Sequence, residues 1–246
     1  MHLKIFGFLF LLIHTGVWAG NYKKVVATST WTAAYAYAAG FENVAILAPA
    51  NMLHPSEYEL TPKEIKLLLN ADLIVYAGYE VMSKFIENEL KESKVECVKI
   101  ETNYNLNKIE TSVNLLAQKN GTVQQAQSNL EDIRQAFQEA RTVVKRAQTE
   151  KQTLAVHFFQ QPYVEAIGLK ANATFGPAPL EAFEIRELGK YKPTLIVDNF
   201  HNAVSSPLAE LFPKTKVVKL LNFPGQNITR TLADVIRYKP LKICAQ

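Results

Sequence analysis

Cysteine is scarce in this chain, with two residues, Cys97 and Cys244, among 246. They lie far apart in sequence, so the most they can form is one bridge tying the C-terminal tail to the first half in an oxidising compartment. Two unpaired thiols are the equal alternative. Runs of one charge are missing as well: 27 Lys and Arg oppose 23 Asp and Glu, and the net +4 is scattered along the chain. That argues against a nucleic-acid surface. The nucleophile elbow GxSxG, the P-loop, GxGxxG and HExxH are all absent, which leaves hydrolytic and nucleotide-dependent chemistry without a signature. No repeat of solenoid length occurs. What remains is ordinary globular material, 48% hydrophobic and 20% charged, enough to build a core and too apolar for disorder.

The N-terminus reads as an export signal. Lys4 precedes the apolar run Ile5–Ile13, which is shorter than the ~20 residues needed to cross a bilayer. Gly16-Val17-Trp18-Ala19 then offers small residues for cleavage near Ala19. The expected product is a soluble exported chain.

Beyond the leader, apolar runs and helical stretches alternate. Lys24–Ala27 reads as a strand, followed by hydroxyls suited to N-capping at Thr28-Ser29-Thr30 and a helix from Trp31. Asn43–Leu47 is a second strand, and its loop carries His54 toward Thr61-Pro62-Lys63-Glu64. That run supplies a cap, a proline at the first helical position and an acid in the first turn. Ala71–Gly78 is a third strand, nearly all apolar as a strand covered on both faces should be. A helix over Val81–Lys91 and a strand over Lys94–Ile100 complete the first half, and Glu101–Asn107 reads as a loop.

Thr122–Gln148 follows as one helical tract without Pro or Gly. Leu130, Ile133, Phe137, Ala140 and Val144 recur on one face, and its length is roughly 40 Å. The alternation then restarts, with strands at Thr153–Val156, Asn172–Phe175, Thr194–Val197 and Lys216–Leu221 and a closing helix over Asn227–Arg237. The expected architecture is therefore α/β, with two βα lobes of mainly parallel sheet joined by one long rigid helix and a ligand cleft between them. Its divisions are residues 1–19 as signal, 20–120 as first lobe, 121–150 as linking helix and 151–246 as second lobe.

Three histidines lie beyond the leader: His54, His157 and His201. Each falls on or just past the carboxyl end of an expected parallel strand, where α/β proteins place their ligands. Gathered in one cleft they would make a nitrogen-rich site for Zn²⁺ or another late divalent metal, with Asp198 as an oxygen donor. For His157 the plain alternative is a core histidine among Phe158 and Phe159. For His201 it is a loop histidine bonded to backbone. The carboxylates of Glu57, Glu59 and Asp72 read as surface or capping groups.

Three stretches also carry a family resemblance: Val25–Trp31 (VVATSTW), Pro49 with His54–Ile65 (HPSEYELTPKEI), and Ala71–Gly78 (ADLIVYAG). Together they resemble the zinc/manganese solute-binding proteins of metal ABC transporters. The resemblance runs on through the long helix, the strand ending at His157, and Gly168-Leu169. It implies two lobes on a rigid helix, a periplasmic and non-enzymatic monomer, and a divalent metal cargo handed to a membrane permease.

Carried over residue by residue, His54 falls on the family's first metal ligand and His157 on its third. Asn103 stands where a second histidine is usual, and Asn222 where a carboxylate is usual. The His-rich loop of many zinc-specific members is missing. Amide oxygens are poor substitutes for a late transition metal. Two expectations follow. One is a tetrahedral Zn²⁺ or Mn²⁺ site of His54, His157 and His201 completed by Asp198 or water. The other is a member that has lost tight metal binding and takes another small ligand or a protein partner.

Overall fold

The computed structural model describes residues 22–227 and 229–245; the expected leader, residues 1–19, lies outside them. Among the described residues eight strands form two sheets. The first holds β1 (Val25–Ala27), β2 (Val44–Ile46), β3 (Leu73–Tyr76) and β4 (Glu96–Lys99). The second holds β5 (Leu154–His157), β6 (Ala173–Phe175), β7 (Leu195–Asn199) and β8 (Lys216–Leu220). Their orders are β2-β1-β3-β4 and β6-β5-β7-β8, and every pairing is parallel. Both halves thus repeat one α/β topology, and β3 and β7, buried along their whole lengths, are the apolar runs anticipated from sequence.

Helices α1 (Thr30–Ala38), α2 (Pro62–Leu69), α3 (Ser83–Glu89) and α4 (Leu106–Asn120) belong with the first sheet. Then come α5 (Val123–Arg146), α6 (Gln161–Ala166), α7 (Ala182–Gly189), α8 (Ser206–Leu211) and α9 (Leu232–Cys244). The capping signals act as read. Ser29 and Thr61 each accept a main-chain N–H in a reciprocal capping box, and Pro62 opens α2. Asp72 accepts the N–H groups of Lys23 and Lys24.

Two expectations need correction. Residues 106–120 form a full helix, with Asn105 as its cap and Gly121 ending it at φ 73°. The closing helix runs over Leu232–Cys244 instead of Asn227–Arg237, because Thr231 and Asp234 form its capping box further along.

The five apolar positions read off the long tract are all buried on α5, which packs beside α9. Arg237 of α9 reaches Asp132 and Glu139 of α5, and Asn129 donates to the carbonyls of Tyr37 and Ala38 at the end of α1. One core runs uninterrupted from the first sheet through α5 into the second, taking in Trp31, Tyr104, Phe137, Tyr163, Phe223 and Ile236. Smaller clusters cover the outer face of each sheet. Cys97 and Cys244 are both free and half-buried. Among the described residues no helix is long and apolar enough to cross a membrane.

Candidate functional site

The carboxyl ends of the strands converge on a cleft of about 890 Å³ between the two sheets. From the first half it is lined by Ser29, Trp31, His54, Glu80 and Asn103, and from the second by Phe158, Phe159, His201, Asn222 and Phe223. The fold therefore brings four of the six residues singled out from sequence to one place: His54, His201, Asn103 and Asn222. His157 and Asp198 are not among the lining residues.

Five of the six make side-chain hydrogen bonds within the fold. His54 precedes a 3-10 turn at Pro55–Glu57, and its exposed side chain makes no capping bond. Asn103 Oδ1 accepts the N–H of Asn105 at 2.8 Å while its amide nitrogen donates to Glu101. Asn222 Oδ1 accepts from Gln160 Nε2 at 2.6 Å. Asp198 is wholly buried, and its carboxylate accepts three main-chain N–H groups, from Asn199 at 2.7 Å, Val204 at 3.4 Å and Ser205 at 3.0 Å. It holds the β7–α8 loop in shape.

The two buried histidines share one feature. His157 Nδ1 accepts the N–H of Phe159 at 3.1 Å, and His201 Nδ1 accepts the N–H of Asn222 at 3.2 Å. In both rings Nε2 is buried and without a partner. Burial lowers the pKa of His157 despite the opposing charge of Asp198. Burial, helped by the charges of Lys239 and His54, pushes His201 down to about 4. Both imidazoles are therefore neutral near pH 7. A neutral imidazole whose Nδ1 accepts a hydrogen bond carries its proton on Nε2. A metal-bound histidine has the opposite arrangement, with one nitrogen on the ion and the other donating its N–H.

The four-donor set of His54, His157, His201 and Asp198 is accordingly not assembled. Among the described residues no group of three or more His, Cys, Asp or Glu side chains is placed to hold one ion. The reasons are local. Asp198 is committed to its loop, and His157 is packed between Phe159 and Phe175 with its Nε2 edge against Gly176. His201 lies flat on Phe223, ring centres 3.8 Å apart.

Sequence reading passed over three participants. Glu80 is a buried carboxylate that accepts from Thr28 Oγ1, Ala77 N, Gly78 N and Ser83 Oγ, locking the β1–α1 junction to the loop after β3. Trp31 was taken only as a helix start. Lys239 lies on the apolar stripe Leu232, Val235, Ile236, Ile243 of α9, and a charge at that spacing was the available signal.

Solved structures share this architecture. The laminin-binding protein Lbp of Streptococcus pyogenes superposes with TM-score 0.65 at 15% identity, over 88% of this chain and 95% of that one. The Mn-bound periplasmic metal-binding protein of Candidatus Liberibacter asiaticus gives 0.63 at 17% identity, over 90% and 98%. Lmb of Streptococcus agalactiae, described as a laminin-binding protein with adhesin and metal-transporting activity, gives 0.67 at 14% identity, over 90% and 100%. No protein-family model matches the sequence, and a comparison with curated proteins finds no match. The chain thus has the two-lobed fold of the metal-binding solute-binding proteins.

Proposed function

We propose that this chain is an exported solute-binding protein, of the type that serves metal ABC transporters, in which tight coordination of Zn²⁺ or Mn²⁺ has been lost. It captures another small ligand between its lobes, without turnover, and hands it to a membrane permease. On this reading residues 1–19 are removed and the remainder acts as a periplasmic monomer. Residues 20–120 and 151–246 form its lobes, and residues 121–150 the joining helix. One observation carries the proposal: His157 and His201 both accept a main-chain N–H at Nδ1, which leaves each Nε2 a donor with no lone pair for a metal. Zinc takes four ligands, and two amides with engaged oxygens cannot make up the shortfall.

Metal cargo is the second reading, and one observation favours it: His54 and His201 line the same cleft. Calorimetric titration of chelator-stripped protein with Zn²⁺ and with Mn²⁺ separates the two. The expected result is no binding tighter than about 1 µM, a free energy of roughly −8 kcal/mol. Sub-micromolar binding abolished by His54→Ala and by His201→Ala would establish the metal site instead. Sub-micromolar binding untouched by His201→Ala would remove His201 from it.

A further inference from the structure

Four buried polar atoms at the joint between the lobes have no hydrogen-bond partner: Trp31 Nε1, Tyr104 Oη, His201 Nε2 and Lys239 Nζ. They belong to one connected cluster. Trp31 stacks on Tyr104 at 6.1 Å between ring centres, and Phe223 packs on Trp31 at 5.7 Å as well as on His201. Lys239 Nζ lies 3.6 Å from the centre of the Tyr104 ring and 4.3 Å from that of Tyr163. Trp31 and His201 line the cleft while being 9% and 5% exposed, and Lys239 is completely buried.

The chemistry of the cluster is donor-rich: Tyr104 Oη can donate or accept, and the other three atoms carry N–H groups. Indole nitrogen is a donor only, and His201 Nε2 carries the ring's proton for the reason given above. An amine beside them adds donors and, once protonated, positive charge. Nothing acidic faces it: burial is the sole cause lowering the pKa of Lys239, which its neighbours Tyr104 and Tyr163 meet with ring faces. Buried donors without acceptors are rare in folded proteins, so a group of them marks where an acceptor is received. A cation is the wrong partner for such a set.

The cleft above the cluster is aromatic. Phe158 and Phe159 are 53% and 41% exposed and meet edge to face, and both line it. Of its four carboxylates three are engaged, Glu101 with Lys108 and Asn103, Glu165 with Gln161, and Glu80 with its four donors; the fourth, Glu57, sits in the turn after His54.

Building on the capture reading, we propose that the ligand of this cleft is a small aryl carboxylate. Trp31 Nε1–H and His201 Nε2–H receive its carboxylate, Lys239, neutral in the empty cleft, takes up a proton to balance that charge from beneath, and its ring lies among Phe158, Phe159 and Phe223. Trp31 reports on the site, since the other tryptophan of the chain, Trp18, falls within the expected leader.

The test uses phenylacetate, 3-phenylpropionate and indole-3-acetate with their three amides, followed by calorimetry and, for the phenyl probes, Trp31 fluorescence. At least one acid is expected to bind about thirtyfold or more tightly than its amide. Lys239→Met should erase that preference while leaving the chain as stable as before or more so, which separates a binding role from a structural one. Failure of all three acids overturns the proposal, as does an acid preference that survives Lys239→Met. The same protein is titrated with Zn²⁺ in parallel. Sub-micromolar zinc binding removes the underlying capture reading, whereas silence toward both acids and zinc removes only the aryl carboxylate.

Discussion

Lys239→Met makes a sharp test of the buried joint, because its effect on stability has a sign that depends on pH. In the unfolded chain the ammonium keeps a pKa near 10.4. In the folded chain Lys239 is fully buried between two tyrosine rings with no hydrogen-bond partner, and its pKa is driven far below that value by desolvation. Between the two values the unfolded state binds one proton more than the folded state. Stability therefore rises with pH across that window and is lost as pH falls through it. Within that window the slope approaches about 1.4 kcal/mol per pH unit.

Methionine fills nearly the same volume against Tyr104 and Tyr163 and does not titrate. The variant should lack this slope and should exceed the parent most at the lowest pH. Urea unfolding followed by tryptophan fluorescence at pH 7, 8 and 9 measures the difference, and the titrations common to both proteins cancel. Parallel stability lines for the two proteins would show that Lys239 keeps its proton in the folded state, and the account of a desolvated amine would be wrong.

Two further substitutions probe the loops that frame the cleft. Asp198→Asn removes the charge that three main-chain N–H groups share, and should destabilise by about 2–3 kcal/mol with little change in the denaturant m-value. Gly176→Ala places a methyl 2.8 Å from His157 Nε2 at a residue with φ 73°, so a loss of about 2 kcal/mol or more is expected in the same assay. A Gly176→Ala protein of unchanged stability would mean that His157 has room to turn. That would reopen its Nε2 to a metal.

The strands were legible because their residues answer to one rule each. Val25–Ala27, Leu73–Tyr76 and the first three residues of Leu195–Asn199 are apolar runs, as parallel strands buried on both faces must be. The face of α5 was legible from spacing alone. Helix α4 was missed because Glu101–Asn107 looked like a loop and no strong periodicity followed, yet Ile109, Val113 and Leu116 do occupy one face. The closing helix was placed too early because Thr231 and Asp234 were not read as a cap. The site was half legible. Sequence placed histidines at strand ends, and His54 and His201 line the cleft there. It could not show which ring nitrogen is occupied, because the partners of His157 and His201 are main-chain N–H groups that carry no residue identity. Nor could it place Lys239 between rings from two different lobes.

That placement also limits how the cleft can open. Trp31 and Tyr104 from the first half meet Tyr163 and Phe223 from the second in one continuous core. Each such ring buries about 150–250 Å². Opening the lobes would expose the faces these rings turn to one another, at roughly 25 cal/mol for each Å² of apolar surface. Against a whole-domain stability of about 5–15 kcal/mol that cost disfavours wide hinge opening as the route to the cleft. The loops offer a smaller movement. The segment before His54 is largely exposed, and it is tied to the opposite half by Gln226 Nε2 donating to Ala50 O at 3.2 Å. A hydrogen bond of that kind contributes about 1 kcal/mol. Movement of the Ala50–His54 segment, with α5 and the joint unchanged, is the entry and release step the energies permit.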